Sequence, residues 1–485
     1  MRRQKIAGFR ALMMGAATFF LSTSGHALPP EDAVPSPPPA DLAVHPVPTL
    51  VTVRETLPNG LRVVICKNSR VPLVTAALGI PAGQSMTDSK SATMEDIVET
   101  LINQRSKKYD NKEFAAASKK IGGSVSFSAR KDYAIVQGDA IASKTSDLLG
   151  LMAERVLRPK FDPKIMEAYV SQLKGRAEMI AEALKAGVID EKFDTQGRLM
   201  RAIYGKHPYA FTEVNDETAK NLTVDTVLDF YEKYYRPNGS LLLVVGDVDP
   251  VQTLSQIKAS SFATWKRITP PVQKTIINPS YELFNRVFVA NREKSVSAKV
   301  SLGNAIPKGI SERDMSAIEV ANAIIGGKID SRLFNVIREK LGYAYSVSSS
   351  VSLDELASTF TIRVESRTSV TGKAIKRILA EVKEFQDKPA TAEELSAAKN
   401  YLGGKFLKSL SAQSTLASEL FELEYFNHSA NWLTGYRDRI NAVTLEDVQR
   451  AAKKYLLPGR AAIVVQGDEG KLSEELAEIG TIQTD

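Results

Sequence analysis

The chain has 485 residues, 43% of them hydrophobic, with a single cysteine and 63 Lys and Arg against 56 Asp and Glu. Four of the seven net positives, Arg2, Arg3, Lys5 and Arg10, lie in a leading segment without acids, which leaves about 7 − 4 = +3 for the rest. That balance gives no electrostatic reason to expect DNA, RNA or a charged membrane as partner, and the lone Cys66 excludes an internal disulfide and a Cys-rich zinc site.

In chain order, the four basic residues precede an apolar run at 11–21 that is too short to cross a bilayer comfortably. With small residues Gly25 and Ala27 behind it, the segment 1–27 reads as a signal peptide cleaved near Ala27. The expected location is periplasmic or secreted, without a lipid anchor, and no later segment resembles a membrane span. Eight prolines between Pro29 and Pro48 make 28–48 a semi-rigid tether or, alternatively, a polyproline ligand.

Two strands follow, Leu61-Arg-Val-Val-Ile-Cys66 and Leu73-Val-Thr-Ala-Ala-Leu-Gly79, then a helical stretch at 92–102. Gly122-Gly-Ser-Val-Ser-Phe-Ser128 reads as a strand and residues 163–186 as a long helix. The segment from Asn221 to Asp247 then recurs, without a gap, from Ala442 to Asp468. At this offset of 442 − 221 = 221, Thr223 meets Thr444, Asp225 meets Glu446, Tyr234 meets Tyr455, Pro237 meets Pro458 and Gly246-Asp247 meets Gly467-Asp468. Each copy predicts a Thr-capped amphipathic helix, a Pro stop and a buried apolar strand.

Between the copies, Pro270, Pro271 and Pro279 punctuate a polar stretch. Then come a second strand pair, Val287-Phe-Val-Ala290 and Val296-Ser-Ala-Lys-Val-Ser-Leu-Gly303, and a helical stretch at 313–325. Strands in runs, followed by helices, predict an α+β fold of two homologous domains. Each is a mainly antiparallel sheet packed with helices and repeats after about 220 residues. The boundaries are 49–263 for the first domain, 264–280 for the linker and 281–485 for the second.

Four segments carry a resemblance to a known family: Leu57-Pro-Asn-Gly-Leu-Arg-Val63, Tyr204-Gly-Lys-His-Pro-Tyr209, the stretch from Tyr235-Arg-Pro-Asn to Val245-Gly-Asp, and Ile329-Asp-Ser-Arg-Leu-Phe-Asn-Val-Ile-Arg-Glu-Lys-Leu-Gly-Tyr-Ala-Tyr-Ser346. They resemble the insulinase, pitrilysin and mitochondrial processing peptidase family in its shorter bacterial two-domain form. In the last segment a helix ending at Gly342 is followed by a strand, so Arg338 and Tyr345 can converge. The resemblance implies that this pair reaches an active site formed by another domain and donates hydrogen bonds to substrate and a developing oxyanion. From the residues alone, a solvated Arg338 and a core Tyr345 remain open.

Peptide-cleaving members carry His-x-x-Glu-His on the first helix of the first domain. Aligned through Lys107-Lys108-Tyr109, that motif falls on Asp96-Ile-Val-Glu99-Thr100, without either histidine. The only histidines, at 26, 45, 207 and 428, never come within five residues of one another. Glu99 then reads as a relic of the general base or a helix-surface carboxylate, with a shared hard cation at Asp96 and Glu99 as an alternative. The family's third ligand falls near Ala183, with Glu178 and Glu182 close by. The Gly122–Ser128 strand resembles the family's substrate-pairing edge, with Ser126-Phe127 in place of Asn-Ala, and is expected still to accept an extended peptide.

The expected function is a non-catalytic subunit that binds no metal or cofactor of its own and supplies Arg338 and Tyr345 to a homologous, zinc-bearing His-x-x-Glu-His partner in a heterodimer that cleaves peptides. The alternative is an inactive homologue that acts as a peptide-binding or scaffold protein.

Overall fold

A computed structural model describes residues 51–185, 195–269, 279, 286–429 and 431–483. The expected signal peptide, the tether, most of the linker and the side chain of Ala183 lie outside this set. The described strands are β1 (Val51–Thr56), β2 (Arg62–Lys67), β3 (Leu73–Ile80), β4 (Ser124–Ala129), β5 (Ala134–Ile141) and β6 (Leu241–Gly246), then β7 (Arg286–Asn291), β8 (Ser297–Ile306), β9 (Ala344–Ser352), β10 (Ser358–Arg367), β11 (Ala462–Gly467) and β12 (Thr481–Gln483).

They form two six-stranded sheets, ordered β1-β2-β6-β3-β5-β4 and β12-β7-β11-β8-β10-β9. Within each sheet one central pair is parallel, β2 with β6 and β7 with β11. The neighbours on the β4 and β9 side are antiparallel. The sheets differ at the opposite edge, where β1 adds antiparallel and β12 parallel. This is the α+β duplication that the sequence predicts.

The repeat holds to the residue. The helices Val224–Tyr234 and Leu445–Tyr455 start and stop at 445 − 224 = 455 − 234 = 221, and β6 and β11 obey the same offset. Thr223 and Thr444 both close capping boxes, with Thr226 and Asp447 as the reciprocal residues. All six residues of β6 and of β11 are buried, which suits strands paired on both sides and covered on both faces. Thr444→Ala removes an acceptor that takes the Asp447 N–H at 3.1 Å. It should lower stability by about 1 kcal/mol in urea unfolding.

One face of each sheet packs on its own helices. The other face is covered by a helix from the opposite half, an arrangement that the sequence did not announce. Helix Thr195–Tyr204 lays Leu199, Met200 and Ile203 on Ala305, Ala462 and Val464 of the second sheet. Helix Gln413–Tyr425 lays Ala417, Phe421 and Tyr425 on Cys66, Ala77, Leu243 and Val245 of the first. The exchange obeys the repeat, since both helices end in Tyr at 425 − 204 = 221. Gly79 makes room for the ring of Phe421, because a Cβ there would stand 2.3 Å from its Cζ. Among the described residues, no helix is long and apolar enough to cross a membrane.

Candidate functional site

The helix on which the lost zinc motif falls runs Met94–Gln104, two residues later than the sequence suggests. Its N-cap Thr93 adopts a left-handed conformation at φ 59° and caps nothing with its side chain. The helix turns Asp96 toward a cavity of about 250 Å³ lined by Thr93, Tyr169, Arg176 and Glu213. The carboxyl of Asp96 is pushed up to about 6, first by burial at the cavity wall and then by Glu99. The residue as a whole is exposed, so water tempers the shift.

Glu99 is not a free surface carboxylate. Its Oε2 accepts the backbone N–H of Ala129 at 2.6 Å. Thr100 accepts the hydroxyl of Tyr169 at 3.2 Å, and Asn103, one turn beyond Glu99, donates its side-chain N–H to the carbonyl of Phe127 at 3.1 Å. Sequence reasoning missed Asn103. Only the i,i+4 spacing from Glu99 could have pointed to it, and only once β4 was known to lie beneath.

These side chains do not fit zinc. Asp96 offers a single carboxylate, while Glu99 and Thr100 are engaged by the protein. Glu178 and Glu182 line a different cavity with Lys174 and Asp216. His207 is buried, accepts the N–H of Tyr209 through Nδ1, and is lowered to about 4 by burial and then by Lys131. His428 stacks on Trp432 with ring centroids 4.1 Å apart. Among the described residues, no three His, Cys, Asp or Glu side chains gather so as to hold a metal.

Glu95 is buried with no partner for Oε2 among the described residues, and burial, then Asp96, hold its carboxyl well above the usual range. A folded state that keeps this proton loses stability as pH rises from the ordinary value of 4.5 through the raised folded one. Glu95→Gln should flatten that decline, read as the difference between wild-type and variant urea midpoints across pH 4 to 8.

The second half presents its motif through two backbone irregularities. Residues Phe334–Lys340 form a π-helix, a rare conformation that concentrates at functional sites. Arg338 on it is about half exposed, with its guanidinium 4.9 Å from the centre of the Phe334 ring and 3.7 Å from Glu339. Gly342, at φ +61°, ends the helix as the sequence predicts, and its N–H returns to the carbonyl of Arg338 at 3.2 Å.

The pairing of β9 with β10 then skips a residue. Glu365 faces Ser346 and Ser366 faces Ala344, so Tyr345 is the extra residue of a β-bulge. Bulges re-aim side chains, and here Tyr345 is 58% exposed, which removes the reading of a core aromatic. Ile329 and Leu341 in the same segment are exposed as well.

Arg338 and Tyr345, 345 − 338 = 7 positions apart, thus emerge from a π-helix and a bulge, both open to solvent. The Asp96–Thr100 helix belongs to the other core. Among the described residues, no hydrogen bond or ion pair joins the two groups.

Residues 62–198 match the family model described as insulinase (peptidase family M16), and residues 221–402 match the model described as peptidase M16 inactive domain. A relative from Bacillus subtilis strain 168, named uncharacterized zinc protease YmxG, is 23% identical over 411 residues, 83% of this chain and 95% of its own length. A relative from Helicobacter pylori, named non-peptidase homolog YmxG, is 20% identical over 398 residues, 80% of this chain and 88% of its own. The crystal structure of a protease from Helicobacter pylori superposes with a TM-score of 0.75 at 19% identity, covering 86% of this chain and all of that one.

Proposed function

This chain belongs to the insulinase (M16) peptidase family, and from that premise we propose that it is the non-catalytic subunit of an exported zinc peptidase. It binds no zinc itself. It supplies Arg338 and Tyr345 to a homologous partner that carries His-x-x-Glu-His, and the heterodimer cleaves peptides.

The observation that carries this reading is the contrast between the two halves. The first helix has Asp96 and Thr100 where ligands would stand and has committed Glu99 to Ala129. The second half holds a guanidinium and a phenol outward on backbone made irregular at both positions. Such donors suit a peptide carbonyl that gains negative charge, an interaction that is strongest once water is excluded. Among the described residues no metal-holding cluster gives these donors a reacting centre to serve, and a second chain can provide it.

The leading segment 1–27 supports export to the periplasm or beyond. The relative named as a non-peptidase homologue favours a second reading, in which the chain holds peptides or serves as a scaffold without taking part in cleavage.

The deciding experiment is to tag the mature chain, recover it with its native partners and assay peptide cleavage with and without a chelator. An equimolar partner bearing His-x-x-Glu-His, with chelator-sensitive cleavage absent from the lone chain, supports the subunit reading. Recovery of an inactive chain without such a partner favours the peptide-holding one.

A further inference from the structure

β4 is the last strand of its sheet, and the helix Met94–Gln104 lies along its open side. In a strand, alternate residues direct their backbone N–H and C=O to the same side. Phe127 and Ala129 are such a pair, and the side they share is the one away from β5, where an extended chain would add. An unpaired edge of this kind recognises main-chain groups and therefore tolerates many sequences.

Here two of those groups are already taken. The Glu99 carboxylate sits where the carbonyl of an added strand would accept from Ala129, at 2.6 Å. The Asn103 amide sits where its N–H would donate to Phe127, at 3.1 Å. The spacing explains the fit. Four helical residues advance about 6 Å, and two strand residues about 6.6 Å. The side chain of Phe127 points into the core, with its ring centroid 6.2 Å from that of Tyr235, and fixes the strand beneath the helix.

We propose that this helix is a clasp. Glu99 and Asn103 imitate the backbone of an added strand, close the β4 edge to extended peptides, and expose it only when they let go. The acid of the lost zinc motif has thereby become the lock on the strand that the sequence marked as a peptide acceptor.

The test uses the lone mature chain, so its outcome is separate from that of the heterodimer. Amide exchange is followed across residues 124–130, and binding of a capped, fluorescein-labelled heptapeptide of alternating Thr and Val is followed by anisotropy. In the wild-type chain the Ala129 amide should exchange slowly and the peptide should leave this segment unchanged. In Glu99→Ala/Asn103→Ala the segment should exchange faster, bind the peptide about tenfold more tightly and regain protection on binding, as expected for two freed hydrogen-bonding groups.

Glu99→Gln keeps an acceptor oxygen and should stay closed, which separates the clasp from the loss of charge. Asn103→Ala frees only the Phe127 carbonyl and should give a smaller gain, which keeps the test decisive if the double variant does not fold. Wild-type protection of 124–130 by the peptide, or faster exchange in either Ala variant without tighter binding, overturns the proposal.

Discussion

Arg338→Ala is expected to leave the chain folded and paired with its partner and to lower peptide cleavage by the complex about 10²-fold or more, the scale of losing one oxyanion donor. The side chain is half exposed and, among the described residues, lies against the face of Phe334 and near the neighbouring Glu339. Stability should therefore change by no more than about 0.5 kcal/mol. The fall should appear in kcat as well as in kcat/KM, because an oxyanion contact is made in the transition state. Arg338→Lys should recover little, since a compact ammonium on a flexible stem cannot reproduce the planar fork. Unchanged cleavage by a complex that forms normally would remove Arg338 from the site.

The second large effect concerns the exchanged helices. Phe421→Ala should destabilise the chain by about 3–5 kcal/mol in urea unfolding, the range for emptying a buried aromatic site. The ring is 1% exposed and fills the space that Gly79 leaves open. Gly79→Val attacks the same contact from the sheet side and should also destabilise. Combined, the two changes should be less harmful than their sum, because the added methyls enter the emptied volume. A loss below about 1 kcal/mol for Phe421→Ala would mean that the helix is not seated as described.

What could be read from the sequence was local chemistry repeated at long range. Thr223 and Thr444 announce helix starts, Pro237 and Pro458 announce stops, and the apolar runs after them announce buried strands. Two copies of one local pattern at a fixed offset then imply two domains. The exchange of helices was not legible, because an amphipathic pattern shows that one face of Gln413–Tyr425 is buried but not which of two similar sheets buries it. β12 was missed because its partner β7 lies far away in the chain, and β1 because it is an edge strand with no buried residue to mark it.

At the candidate site the spacing of Arg338 and Tyr345 was visible, but their presentation was not. Neither a π-helix nor a bulge has a signature that single residues carry. Glu99 read as a relic because its histidines are gone, whereas the structure gives it a bond to Ala129, thirty residues away, which no helical pattern can reveal.

The crossing of helices between halves also orders events in time. Until Gln413–Tyr425 has been synthesised, Val64, Cys66, Ala77 and Leu243 on the outer face of the first sheet lack the helix that packs on them. The nascent first half must wait, with greasy surface bare, for a contact that spans 421 − 79 = 342 positions along the chain. Contacts of such separation make folding slow and the intermediate prone to aggregate. The chain should therefore depend on holdase chaperones until its last hundred residues are available, and C-terminal truncations that remove this helix should yield insoluble protein rather than a free first domain.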